Sequence, residues 1–216
     1  MTYIRTKKET AGEISSLLLQ IEAIKLNIEK PFTWSSGWKS PIYCDNRLSL
    51  SYPAVRKKIT AGLCEIIKDE YPEVESIAGV ATAGIAQGAL IAAELDKPFL
   101  YVRPKPKGHG MENLIEGKVT KKQKVVVVED LVSTGGSSLK ATEALQEAGF
   151  DVLGMVSIFN YGFETAEQNF ANAKIKLVCL SDYSYMINFA LKNGTIDEAK
   201  AISLKAWRVD PAGWKQ

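Results

Sequence analysis

The sequence predicts an α/β fold: a mainly parallel, twisted sheet flanked by helices, with a small hood formed by the N- and C-terminal segments. Three observations carry this. Short apolar runs at residues 76–80, 99–103, 125–128, 152–159 and 175–180 alternate with helix-spaced segments at 85–95, 137–148 and 163–173. Strand, helix, strand in succession implies right-handed crossovers and parallel pairing. The run at 125–128 is valine throughout, as expected of a central strand covered on both faces. Helical patterning then returns at both ends of the chain, which supplies the hood. Residues 1–216 are expected to form a single domain.

The elements outside the sheet follow from local signals. A first helix is expected over residues 10–26, since Ile14, Leu17, Leu18, Ile21 and Ile28 recur at helical spacing. A turn-rich stretch follows, PFTWSSGWKSPIYCDNR (31–47), whose aromatic faces and hydroxyls suit either packing or a planar ligand. A second helix begins near Ser51, with Pro53 in its first turn and Val55, Ile59, Leu63 and Ile66 on its apolar face. Toward the C-terminus, Ser181 is expected to cap one helix, and Thr195 with Glu198 forms a capping box for another.

Bulk composition excludes several functions. The net charge is only +2, which argues against a nucleic-acid or membrane-surface partner. The basic residues are concentrated nonetheless: Arg103, Lys105, Lys107, Lys118, Lys121, Lys122 and Lys124 face only Glu112 and Glu116 between residues 101 and 124. Three scattered cysteines (Cys44, Cys64, Cys179) and a single histidine, His109, predict neither a disulfide framework nor a zinc site. The N-terminus MTYIRTKKETAGE lacks the apolar core of a signal peptide, and no apolar run reaches transmembrane length. The chain reads as cytoplasmic.

The chemistry is concentrated in VVVVEDLVSTGGSS (125–138). Glu129 and Asp130 place two carboxylates at the carboxyl edge of the sheet, where open parallel sheets bind ligands. Ser133, Thr134, Gly135, Gly136 and Ser137 then form a turn whose amides can converge on an anion. The next helix adds its N-terminal partial charge. Hydroxyls of Thr134, Ser137 and Ser138 are expected to add donors. The stretch lacks the GK[ST] of a Walker A loop and is not GxGxxG, which argues against nucleoside triphosphate hydrolysis and dinucleotide binding. Carboxylates do not bind phosphate, so the acid pair fits the vicinal hydroxyls of a sugar instead. The motif therefore predicts a sugar phosphate.

This stretch resembles the signature of type I phosphoribosyltransferases, which use 5-phosphoribosyl 1-diphosphate. The resemblance implies that Glu129 and Asp130 hold the ribose 2′- and 3′-hydroxyls while Ser133 to Ser137 wrap the 5′-phosphate. Leu131 and Val132 complete the substrate-binding run. Ala81-Thr82-Ala83-Gly84 falls where that family binds diphosphate. The segment YVRPKPKGHGMENLIEGKV (101–119) is similar to the catalytic loop of orotate phosphoribosyltransferases, and FTWSSGWKSPIYCDNR to the segment that helps form their orotate pocket. Ser36-Gly37, Ser40-Pro41, Tyr43, Asp45 and Arg47 follow that pattern. By this match Arg103, Lys107 and His109 contact diphosphate, with Lys107 and His109 reaching across from the partner in a homodimer with shared sites. Lys107, His109 and Asp130 are the implied catalytic residues. Mg2+ is the implied cofactor, with no residue assigned as a metal ligand.

The implied reaction joins orotate to ribose 5-phosphate, giving orotidine 5′-monophosphate and diphosphate in pyrimidine biosynthesis. Two positions depart from the pattern: Ser35 and Tyr161 stand where some relatives carry a lysine and an arginine that contact the base. Pro104 also replaces a loop lysine. A purine or uracil phosphoribosyltransferase would share the phosphate cradle but not the basic loop. A non-enzymatic regulator on this fold would bind the sugar diphosphate without turnover. One half of a bifunctional enzyme that also decarboxylates the product would need a second barrel, for which 216 residues leave no room.

Overall fold

The structure, a computed structural model, describes residues 4–34, 37–105 and 114–214. In chain order the elements are β1 (Ile4–Thr6), α1 (Lys8–Gln20), β2 (Ile24–Leu26), β3 (Phe32–Thr33), β4 (Lys39–Ser40) and β5 (Ile42–Cys44). A 3-10 turn (Asn46–Ser51) leads to α2 (Pro53–Glu70), β6 (Ser76–Val80), α3 (Ala83–Leu95), β7 (Phe99–Val102) and β8 (Ile115–Glu116). Then come β9 (Lys124–Val132), α4 (Gly136–Glu147), β10 (Asp151–Asn160), α5 (Glu164–Ala173), β11 (Leu177–Asp182), α6 (Tyr183–Lys192) and α7 (Glu198–Val209).

The main sheet has seven strands in the order β1-β11-β10-β9-β6-β7-β8. Every pairing in it is parallel except that of β7 with β8. β9 is central and buried on both faces because its side chains alternate between two apolar layers. Val126 and Val128 pack into the layer containing Leu63 and Ile67 of α2 and Ile91 of α3. Val125 and Val127 face the opposite layer, with Leu139 and Leu145 of α4 and Phe170 of α5. The predicted α/β architecture is therefore present, and the valine run is its axis.

The hood is built from two small antiparallel ribbons, β2 with β5 and β3 with β4, together with α6 and α7. Aromatic rings hold it on the sheet. Trp207 is fully buried, and its indole N–H donates to the Lys39 carbonyl at 3.0 Å. Tyr161 stacks on Phe163 with centroids 5.7 Å apart, and Trp34 tilts against Tyr161 at 5.0 Å. Arg208 adds a hydrogen bond to the Gly162 carbonyl at 3.0 Å.

Several boundaries differ from the sequence expectation. The first helix ends at Gln20, not near residue 26; Glu22 takes φ 56° and the chain continues into β2. Apolar spacing persists past the helix because Ile24 and Ile28 pack in the hood instead. The strand expected at 125–128 runs on to Val132, so the acid pair lies within the strand, not after it. Asp182, not Ser181, caps α6 by accepting from Tyr185 N at 2.9 Å. Ser181 is buried and donates to the Ala11 carbonyl at 3.0 Å. Likewise Asp197, not Thr195, caps α7, accepting from Lys200 N at 2.7 Å. In both cases a carboxylate stands directly before the first turn and outcompetes the hydroxyl for its amides. The edge strand β1 had no expectation at all.

Trp207→Ala should destabilise the protein by about 3–5 kcal/mol, since it empties the hood's centre. Urea unfolding followed by far-UV circular dichroism measures this, and a loss below about 1 kcal/mol would show that the cluster does not hold the hood.

Candidate active site

The carboxyl ends of β6 and β9 form the walls of a cleft of about 300 Å³, lined in part by Ala81, Thr82, Arg47, Glu129, Asp130 and Ser137. Close packing of α3 gives the cleft its shape. A Cβ on Gly84 would run into the Val128 carbonyl, and one on Gly79 would lie 2.8 Å from the Gly84 carbonyl. Only glycine lets the start of α3 come so near the strand that carries the acids.

The acid pair is unequal. Glu129 is 6% exposed, with one oxygen accepting from Ser138 Oγ at 2.9 Å and the other from Asp130 N at 3.0 Å. Asp130 is only partly buried and opens toward the cleft. Burial pushes the Glu129 carboxyl well above its usual range, and the neighbouring Asp130 charge adds to that. Burial also raises Asp130, opposed by its hydrogen bond with Glu129 and by the Arg47 guanidinium. Arg47 is held at the cleft by a two-pronged contact with Asp45, at 2.6 Å and 2.9 Å.

Beyond the pair the chain forms the anion cradle. Gly135 has φ 81°, a left-handed conformation that starts α4. A Cβ there would come 2.7 Å from the Phe170 ring, so α5 packs directly under the turn. Asn169 on α5 donates to the Thr134 carbonyl at 2.9 Å and fixes the turn from the side. Gly136 and Ser137 are exposed at the helix start, and among the described residues beyond its own helix and neighbours none lies within 4 Å of a Cβ placed on Gly136. That leaves open space over the α4 N-terminus, where amides and helix dipole favour an anion.

The sequence-derived residues separate accordingly. Glu129, Asp130, Leu131 and Ser137 line the cleft together. Ser133 and Thr134 are half-buried beside it, whereas Val132 has a fully buried side chain and a carbonyl that accepts from Tyr161 N at 3.0 Å. Ser138, expected as a phosphate donor, is instead 1% exposed and committed to Glu129. Arg103 pairs with Glu116 at 3.4 Å. Lys107, His109, Ser35 and Ser36 lie outside the described residues. Tyr161, where some relatives carry a base-contacting arginine, is 2% exposed inside the hood's aromatic cluster. Asn46, Ser138 and Asn169 act on the site without having been singled out for these contacts: Asn46 and Asn169 come from elements remote in sequence, and Ser138 is turned toward Glu129 by the docking of α4.

A raised carboxyl pKa has a stability cost with a defined sign. Above the ordinary carboxylate range the unfolded chain has lost these protons while the native pair still holds one, so stability falls as pH rises through that window. Glu129→Gln should therefore raise the melting temperature at pH values above that range, and the gain should shrink in acid. Differential scanning calorimetry across pH checks this, and a variant less stable than wild type at every pH would contradict the burial argument.

Comparison with known proteins agrees with this geometry. A family model described as a phosphoribosyl transferase domain matches residues 50–182, the span from the 3-10 turn to the end of β11. The orotate phosphoribosyltransferase of Cytophaga hutchinsonii is 58% identical over 204 residues, covering 94% of this chain and 98% of that protein. The Bacillus cereus orotate phosphoribosyltransferase is 56% identical, covering 93% and 95%. Among solved structures, orotate phosphoribosyltransferase from Aeropyrum pernix superposes with a TM-score of 0.74 at 30% identity, over 85% of this chain and 99% of that one. With its acid pair, its glycine turn at the α4 N-terminus and matches of this extent, the chain belongs to the orotate phosphoribosyltransferase family.

Proposed function

We propose that the chain transfers ribose 5-phosphate from 5-phosphoribosyl 1-diphosphate to orotate, giving orotidine 5′-monophosphate and diphosphate in pyrimidine biosynthesis. The observation that carries this reading is the pairing, in one cleft, of buried Glu129 and cleft-facing Asp130 with an open anion cradle at the α4 N-terminus. Hydroxyl-accepting carboxylates beside an anion-favouring helix start suit a ribose with a 5′-phosphate, and the identity to curated relatives supports orotate as the acceptor.

The roles follow from charge and position. The 5′-phosphate takes the amides and hydroxyls of Ser133, Thr134, Gly135, Gly136 and Ser137. Asp130, with Glu129 behind it, accepts from the ribose hydroxyls and offsets positive charge as C1 becomes oxocarbenium-like. The C1–oxygen bond to diphosphate breaks, and the deprotonated ring nitrogen of orotate forms the new C1–N bond from the opposite face. Because orotate is already an anionic nucleophile, orientation and leaving-group stabilisation do most of the work. Lys107 and His109 serve the departing diphosphate, and His109 donates a proton to it. The hard carboxylate oxygens at the cleft suit Mg2+, which Asp130 would help hold. Bound there, the ion would supply charge neutralisation of the diphosphate, with Asp130 as a protein ligand.

We propose further that residues 1–216 work as one domain and that two copies share their sites in a homodimer. Tyr43, Leu48 and Tyr52, exposed by 43%, 39% and 45%, flank in sequence the cleft residues Cys44, Asp45 and Arg47 and support an apolar contact with a second copy. The unpaired Cys44, Cys64 and Cys179 suit a reducing, cytoplasmic setting. No helix among the described residues is long and apolar enough to cross a membrane.

An orotate-dependent diphosphate-release assay, with and without Mg2+, tests the reaction. Lys107→Ala should lower turnover roughly tenfold or more with the fold intact. Mixing it with Asp130→Asn should restore part of the activity through one wild-type site per heterodimer. Unchanged turnover in Lys107→Ala would remove that residue from the chemistry, and no recovery in verified heterodimers would remove the sharing.

A further inference from the structure

Among the described residues, a buried side chain that joins the hood to the acid pair is that of Asn46, just past β5 in the 3-10 turn. Asn46 is 1% exposed. Its amide nitrogen donates to the main-chain carbonyl of Asp130 at 2.7 Å, across 84 residues of sequence. Its amide oxygen accepts from Cys44 Sγ at 3.4 Å, and its own carbonyl accepts from Ser49 Oγ at 2.6 Å. The side chain is therefore fixed at both of its polar ends, and its backbone is fixed as well.

The Asp130 carbonyl needs such a donor for a topological reason. On one side β9 is paired with β10 as far as Val132, but on the other its register with β6 ends at Gly79 opposite Val128. β6 stops at Val80, and the chain turns away into Ala81 and Thr82. The ladder thus runs out two residues before Asp130, at the point where the cleft opens. The Asn46 amide supplies the hydrogen bond that the next residue of β6 would have made. A part-buried carbonyl left without this donor loses a hydrogen bond that water replaces only in part, and the strand end is freer to shift.

We infer that Asn46 is a positioning residue: its side-chain amide extends the β6–β9 ladder and so fixes the Asp130 carboxylate for the ribose hydroxyls. The same turn carries Arg47, whose charge acts on Asp130. Movement of the hood would therefore be felt at the ribose site through this contact. This inference rests on the reading of the cleft as the phosphoribosyl diphosphate site.

Asn46→Leu keeps the side chain's size and removes the donor. In the full chain it should weaken 5-phosphoribosyl 1-diphosphate binding about tenfold by isothermal titration calorimetry with Mg2+, the scale of one lost buried hydrogen bond. The KM for orotate, measured at saturating sugar diphosphate, should stay within about twofold, well under the tenfold that one such bond represents. A merely structural role would move both constants together with the melting temperature. If Asn46→Leu does not fold, Asn46→Ser, which is small and polar, is read in the same assay. Unchanged sugar-diphosphate affinity in a folded variant, or equal losses for both substrates, would overturn the inference. A wild-type chain that binds no sugar diphosphate would overturn the underlying reading instead.

Discussion

The structure depends on how β9 passes from an apolar interior into a polar cleft without a break in the strand. Its first half, Val125 to Val128, is sealed on both faces by helices. Its second half keeps the extended conformation but exchanges valine for Glu129 and Asp130. Because the strand continues unbroken to Val132, Glu129 is carried into a site nearly as dry as the core. The buried carboxyl stays there because Ser138 and the Asp130 amide hydrogen-bond it, and because its pKa rises. The position is costly for stability and useful for binding, since a ligand that donates hydrogen bonds restores the interactions water would have provided.

The remaining elements position groups around that strand end. α3 crosses close above it through Gly79 and Gly84, which narrows the cleft from the β6 side. α4 begins in the left-handed Gly135, and α5 props that turn with Asn169 and Phe170. The hood reaches in from above with Asn46 and Arg47. Preorganisation here is mostly a matter of second-layer contacts that leave the cradle's amides and the Asp130 carboxylate facing open space.

What was legible in the sequence were features that depend on neighbours in the chain. The valine run, the acid pair and the glycine turn are contiguous, so their order alone places them at a strand's end and a helix's start. Features that depend on distant partners were misjudged. Ser138 looked like a phosphate donor until the docking of α4 turned it under Glu129. The helix thought to reach residue 26 stops at Gln20, because the apolar residues that extend its pattern are claimed by the hood. β1 is three residues long among lysines and arginine, too short for any periodicity to register. Asn46 carries no local signal, since its partner lies on another strand's end. Tyr161 and Ser35, noted as departures from the family pattern, had different outcomes. Tyr161 proves to be a hood core residue, and Ser35 lies outside the described residues.

The ribose meets an acid pair in which burial holds the Glu129 carboxyl above its usual range while Asp130 opens to the cleft. Binding hydroxyls and a divalent cation favours the ionised pair, so binding should release protons. Calorimetric titration of 5-phosphoribosyl 1-diphosphate with Mg2+, run in two buffers of different ionisation enthalpy near neutral pH, measures that release. The wild-type protein should release more protons than Glu129→Gln, which cannot ionise at that position. Equal release from both proteins would contradict this.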